Sequence, residues 1–133
     1  MTFTYTHSVR FHEVDLQGYL FNSRYLEIAD SAFVEFLQHL GFPYLELMKD
    51  GRSPSVVTAT LKFERPARFE DVLAVDVDCL RVGSSSFDIR TSFVRDGSTV
   101  ATTDLVYVNV HAASGRSWPL PDDVAAALRA QIP

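Results

Sequence analysis

Between Val9 and Tyr25 the sequence runs Val-Arg-Phe-His-Glu-Val-Asp-Leu-Gln-Gly-Tyr-Leu-Phe-Asn-Ser-Arg-Tyr. An acid, Asp15, and a glycine, Gly18, stand just ahead of a long amphipathic segment that starts near Phe21. A helix start presents unpaired backbone N–H groups and a partial positive charge. A carboxylate facing such donors holds two parts of an acyl-transfer site: a base or nucleophile, and a stabiliser for the developing oxyanion. The same spacing also fits a carboxylate that only caps the helix or sits in a solvated loop. Gly18 serves either a plain turn or the close approach of a ligand. Asn22 either begins the helix or orients water or substrate. Glu13 reads as an exposed strand-end charge or a supporting partner, not a second catalytic acid. Tyr25 lies on the apolar stripe and reads as core, with its hydroxyl toward the pocket.

Other chemistries find little support. The chain holds no Gly-x-Ser-x-Gly elbow for a serine hydrolase. His7, His12, His39 and His111 lack metal-ligand spacing, so no metal is expected. Cys79 is the only cysteine, which rules out an internal disulfide, and it alternates onto an apolar strand face. The net charge of −5 argues against a nucleic-acid surface. A few local cations still suffice for a small phosphorylated ligand. Lys62, Arg65, Arg68 and Arg90, on strands or their ends, are the candidates. No stretch approaches the roughly 18 apolar residues of a membrane span, and no basic-then-apolar leader is evident. A cytoplasmic protein is expected.

The surrounding elements must position these residues. The chain has 133 residues, 47% of them apolar and 22% charged, which fits one globular domain over 1–133. Thr4–Phe11 reads as a strand. From Phe21 to Leu40, Phe21, Tyr25, Ile28, Ala29, Ala32, Phe33, Phe36, Leu37 and Leu40 fall on one helical stripe, followed by Gly41 and Pro43. Pro43–Met48 fits a short helical turn. Strands are expected over Ser55–Glu64, Val72–Arg81, Ser86–Arg95 and Thr99–His111, with a hairpin at Asp96-Gly97. A last helix over Asp122–Ala130 would be capped by Asp122 or Asp123. One apolar-striped helix followed by antiparallel strands predicts an α+β fold with the sheet wrapped on a nearly engulfed helix. Such a sheet leaves two edges and an open face, which favours oligomers.

This order, together with Phe11, Glu13, Asp15, Gly18, Leu20, Phe21, Asn22 and Tyr25, resembles the hot-dog-fold acyl-CoA thioesterases of the 4-hydroxybenzoyl-CoA thioesterase type. Arg65-Pro-Ala-Arg-Phe-Glu-Asp71 looks like that family's turn between two sheet strands. The resemblance spans nearly the whole chain. It implies a five-stranded antiparallel sheet around the long helix, and homodimers or homotetramers with active sites at the dimer interface. It implies hydrolysis of an acyl-CoA to a carboxylic acid and free coenzyme A, with no cofactor because coenzyme A is part of the substrate. The catalytic carboxylate carries over to Asp15, and N–H groups near Asn22 would polarise the thioester carbonyl. Asp15, Gly18 and Asn22 are therefore the catalytic candidates. Tyr19, Phe21, Tyr25, Arg65, Arg68 and Lys62 are the candidates for substrate binding, and Phe63 and Phe87 could join an aromatic pocket. Glu13 stands where many members have Asp, Tyr19 where some have His, and Asn22 where one branch has His. These departures bear on substrate and subfamily. An acyl-ACP thioesterase and a non-catalytic acyl-binding or assembly domain are the alternatives.

Overall fold

A computed structural model describes residues 2–133. The chain runs β1 (Phe3–Ser8), a 3-10 turn (Phe11–Glu13), α1 (Arg24–His39), α2 (Tyr44–Leu47) and a second 3-10 turn (Met48–Asp50). Then come β2 (Arg52–Phe63), β3 (Val72–Val82), β4 (Ser86–Arg95), β5 (Ser98–His111) and α3 (Asp122–Arg129). The five strands form one antiparallel sheet in the order β1-β3-β4-β5-β2. This is the expected α+β hot-dog architecture, with two further short helices beside the long one.

Strand alternation sends one row of side chains toward α1 and the other outward. Leu73, Val75, Val77 and Cys79 of β3 are buried, as are Phe87, Ile89, Thr91 and Phe93 of β4. Ala101, Thr103, Leu105, Tyr107 and Asn109 continue this layer on β5. On α1 the buried stripe is Tyr25, Ile28, Ala29, Ala32, Phe33, Phe36 and Leu37. Aromatic rings join the layers: Phe33 stacks on Tyr107 at 4.2 Å, and Tyr25 meets Phe93 edge-on at 5.0 Å. Phe36 is fully buried, so cutting it to Ala would cost about 3–5 kcal/mol. Asp96 and Gly97 both have positive φ, as a two-residue hairpin turn matching the strand twist requires.

Several expectations need correction: β1 ends at Ser8, with Phe11 in the following 3-10 turn, and β2 begins at Arg52, ahead of the expected Ser55. The long helix starts at Arg24, three residues later than the apolar stripe suggested. Phe21 is exposed, and Asn22 and Ser23 form a turn, because the Phe21 N–H is drawn back to the Glu13 carbonyl at 2.9 Å. The helix is also not engulfed: Glu27, Asp30, Ser31 and Glu35 face solvent on its outer side. In α3, Pro121 occupies the cap position and gives no side-chain cap; Asp122 and Asp123 lie inside the first turn, where the Asp123 carboxylate accepts the Val124 N–H at 2.9 Å.

β1 and β2 are the free edges. Val56, Val57 and Phe63 of β2 are each about half exposed, a row of apolar groups beside an unpaired strand edge. No helix among the described residues is long and apolar enough to cross a membrane.

Candidate active site

The segment from Val9 to Arg24 is built from the end of β1 upward. Val9 is buried, and its N–H donates to the Asp71 carbonyl at 2.9 Å while its own carbonyl accepts the Glu70 N–H at 3.1 Å. The chain then turns through Phe11–Glu13. Glu13 is buried, contrary to the exposed-charge reading. Its Oε1 accepts the Arg10 N–H at 2.7 Å and the His7 Nε2 at 2.9 Å. Burial works to raise the Glu13 carboxyl, but the Arg10 N–H and the His7 ring outweigh it and hold the group below its ordinary value.

Residues 14–20 form a closed loop on this stem. Val14 and Leu20 pair as an antiparallel bridge. The Asp15 N–H donates to the Tyr19 carbonyl at 2.9 Å, and the Gly18 N–H donates to the Asp15 carbonyl at 2.9 Å. The Asp15 carboxylate closes the loop from inside: its Oδ1 accepts the Gln17 N–H at 2.9 Å and the Tyr19 N–H at 3.2 Å. Asp15 therefore caps a loop rather than the helix. Its Oδ2 receives no hydrogen bond among the described residues. Gly18 holds φ at +81°, and an added Cβ would meet nothing within 4 Å, so glycine is needed for conformation and not for space.

The loop leans on the turn between β2 and β3, so the two sequence motifs meet. Tyr19 bridges to Arg68, Leu20 donates to the Ala67 carbonyl at 2.7 Å, and the Arg68 guanidinium lies 5.2 Å from the Tyr19 ring centroid. Asp71 fastens that turn by accepting the Arg68 N–H at 2.8 Å and Arg95 Nη1 at 2.7 Å. Beyond the loop, Phe21, Asn22 and Ser23 are exposed. The Asn22 and Ser23 N–H groups make no hydrogen bond among the described residues. They are free donors at the helix entry, on the same stem as Asp15.

The predicted substrate residues divide. Tyr19, Phe21, Arg65 and Arg68 lie on the loop, the helix entry and the facing turn. Arg65 and Arg68 are exposed, and neither has a carboxylate partner among the described residues. Lys62 is set apart: it pairs with Thr102 on the outer sheet face, beside a shallow depression shared with Arg90 and Asp104. Arg90 is occupied by Asp104 through contacts of 2.7 and 3.0 Å. Tyr25 is core, edge-on to Phe63 and Phe93. Phe87 is core as well, while Phe63 is half exposed on the edge strand.

Sequence reasoning missed Asp30. It lines a groove of about 600 Å³ on the outer side of α1, together with Ser31, Tyr44, Pro54, Val56 and Tyr107. The Tyr107 hydroxyl is buried without a hydrogen-bond partner; the Asp30 carboxyl lies near it but outside bonding geometry. Partial burial raises the Asp30 carboxyl against the opposing influence of that hydroxyl. Burial, and next the Asp30 charge, push the Tyr107 hydroxyl far up, so it stays a neutral donor. An acid two positions from the stripe residue Ile28 was the only available signal. Among the described residues no group of three or more His, Cys, Asp or Glu side chains is placed to hold a metal ion.

With this geometry in view, comparisons with known proteins converge. A family model described as the thioesterase-like superfamily matches residues 9–128. A 1,4-dihydroxy-2-naphthoyl-CoA hydrolase of Nostoc punctiforme is 28% identical over 128 residues, covering 93% of this chain and 84% of that protein. The solved structure of a gentisyl-coenzyme A thioesterase superposes with a TM-score of 0.86 at 27% identity, covering 94% of this chain and 98% of its own. A hypothetical protein from Thermus thermophilus superposes with a TM-score of 0.90 at 27% identity, covering 96% of this chain and 98% of its own.

Proposed function

We propose that this chain, which belongs to the thioesterase-like superfamily and is a thioester hydrolase, acts on acyl-CoA, converting it with water to a carboxylic acid and free coenzyme A. The observation that carries this reading is the pinned Asp15: one carboxylate oxygen is held by two backbone N–H groups, the other is free, and unbonded N–H groups stand at the far end of the same loop stem. As general base, the free oxygen takes a proton from water while the water oxygen bonds to the thioester carbon. The carbonyl oxygen becomes an oxyanion that the Asn22 and Ser23 N–H groups are suited to receive. The carbon–sulfur bond then breaks, and the thiolate of coenzyme A takes up the proton. As nucleophile, the same oxygen would form a mixed anhydride that water hydrolyses.

Among the described residues Arg65 and Arg68 form no ion pair, which suits them to the coenzyme phosphates far better than the paired Arg90. The acyl group we infer is a hydroxylated aromatic. The named relatives act on such groups, and the Asp30 groove offers a carboxyl to a ring hydroxyl, beside the buried Tyr107 hydroxyl. The exposed apolar edge of β2 supports a homodimer joined through that edge.

Thiol release should be assayed with benzoyl-CoA, 4-hydroxybenzoyl-CoA, 1,4-dihydroxy-2-naphthoyl-CoA, a medium-chain aliphatic acyl-CoA and the matching acyl-ACP. Fastest release from a hydroxyaryl-CoA is expected. Release from acyl-ACP alone would move the assignment to the carrier-protein substrate, and binding without release would make this a non-catalytic domain.

A further inference from the structure

Glu13 takes no step in the proposed reaction, yet it is the most thoroughly engaged carboxylate near Asp15. Its side chain is only 8% exposed, and one oxygen carries both bonds, to the Arg10 N–H at 2.7 Å and to the His7 ring at 2.9 Å. Its backbone N–H donates to the Arg10 carbonyl at 3.0 Å, and its carbonyl accepts the Phe21 N–H at 2.9 Å. Glu13 thus grips three places at once: β1 through His7, the turn through Arg10, and the helix entry through Phe21. Asp15 lies between the second and third grips. On one side the loop that presents it is tied to the β2–β3 turn by the Tyr19–Arg68 bridge and the Leu20 N–H to the Ala67 carbonyl; on the β1 side, beyond the Val14–Leu20 bridge and its own internal bonds, its hold runs through Glu13. A charge taken out of water costs free energy unless it is paired and hydrogen-bonded, and removing one partner leaves the other uncompensated.

We propose that His7 and Glu13 form a positioning pair that holds the Asp15 loop in register with the free N–H groups at the helix entry. Its kinetic consequence rests on the thioesterase reading above. Among the described residues His7 makes no side-chain hydrogen bond to Asp15 or to the helix entry, so it acts through Glu13. Loss of the pair leaves the carboxylate present but lets its distance to the oxyanion donors vary. A displacement near 1 Å in such a constellation costs on the order of 10²-fold in rate. Turnover should therefore fall while affinity for the coenzyme holds, because Arg65 and Arg68 sit on the other turn.

Two variants of His7 separate positioning from bulk. His7→Phe keeps a ring but removes the donor; His7→Gln keeps an N–H donor on a shorter frame. The first readout needs no substrate: amide hydrogen exchange at Gln17 and Tyr19, whose N–H groups bind Asp15. In His7→Phe these two amides should exchange about 10-fold faster or more, with the β4–β5 amides unchanged. The second readout is steady-state hydrolysis of 4-hydroxybenzoyl-CoA. His7→Phe should lose about 10-fold or more in kcat with KM within about twofold, and His7→Gln should recover most of that loss. Unchanged exchange at Gln17 and Tyr19 would overturn the proposal, as would a rise in KM alone or equal impairment of both variants. If the wild-type protein releases no thiol, the thioesterase reading fails, and the exchange measurement alone decides the role of the pair.

Discussion

Asp15 and Tyr19 close on each other twice: the Tyr19 N–H reaches the Asp15 carboxylate at 3.2 Å, and the Tyr19 carbonyl accepts the Asp15 N–H at 2.9 Å. The acid is therefore part of the loop's own frame, and the ring that meets Arg68 belongs to the same frame. Loop geometry and the candidate base are mechanically one unit, and Arg68 rests against it from the β2–β3 turn, which Asp71 fastens separately.

The first consequence concerns Gly18. Its φ of +81° lies where a Cβ is strained, although space for one exists. Gly18→Ala should lower stability by about 1 kcal/mol, seen as a lower midpoint in urea unfolding. Turnover should fall further than that, since the strain relaxes through Asp15. A variant with wild-type kcat would show that the loop tolerates distortion.

Arg68 is exposed and makes no ion pair with a carboxylate among the described residues, so its interaction with a phosphate is screened by salt. Arg68→Gln should raise KM for an acyl-CoA about 3- to 10-fold with little change in kcat. It should also flatten the dependence of KM on ionic strength. A kcat effect without a KM effect would place Arg68 in loop support instead.

Asp30 and Tyr107 predict selectivity. Asp30→Asn or Tyr107→Phe should reduce kcat/KM for a hydroxyaryl-CoA by about 10- to 100-fold relative to benzoyl-CoA. Equal losses on both substrates would remove the groove from acyl recognition.

Asp71 predicts the acid side of the stability profile. Burial works to raise its carboxyl, but the Arg68 N–H and the Arg95 guanidinium outweigh it and hold the group below the ordinary aspartate value. A carboxyl depressed in the folded state contributes stability that is fully present above its unfolded value and is lost as pH falls through its folded value. Tm measured from about pH 7 down to about pH 3 should therefore drop on the acid side. Arg95→Met should flatten that drop while lowering Tm at neutral pH. An unchanged acid limb in the variant would assign it to other carboxylates, Glu13 first, since it shifts in the same direction.

Much of this was readable from periodicity. Ser86–Arg95 is found where alternation placed it, and Asp96-Gly97 makes the turn its residues favour. Alternation and helical spacing report burial, which is why the core stripe of α1 emerged nearly whole. The helix start did not, because Phe21 is apolar and in phase yet is held outside by a bond to Glu13, twenty-odd ångströms of chain earlier. Glu13 and Asp30 were misjudged or missed for a related reason. A buried or groove-facing acid looks like a surface acid until the donors around it are known, and His7 and Tyr107 come from other strands. Lys62 and Arg65 are three residues apart in sequence, but Lys62 falls on the outer sheet face.

The most direct measurement compares thiol release by wild-type protein and Asp15→Asn on a hydroxyaryl-CoA. Asparagine keeps an oxygen that can accept the Gln17 and Tyr19 N–H groups, so the loop should survive and Tm should hold. Loss of the ionised oxygen should lower kcat by about 10²–10⁴. Wild-type activity in Asp15→Asn would contradict the assignment of Asp15 as the base or nucleophile.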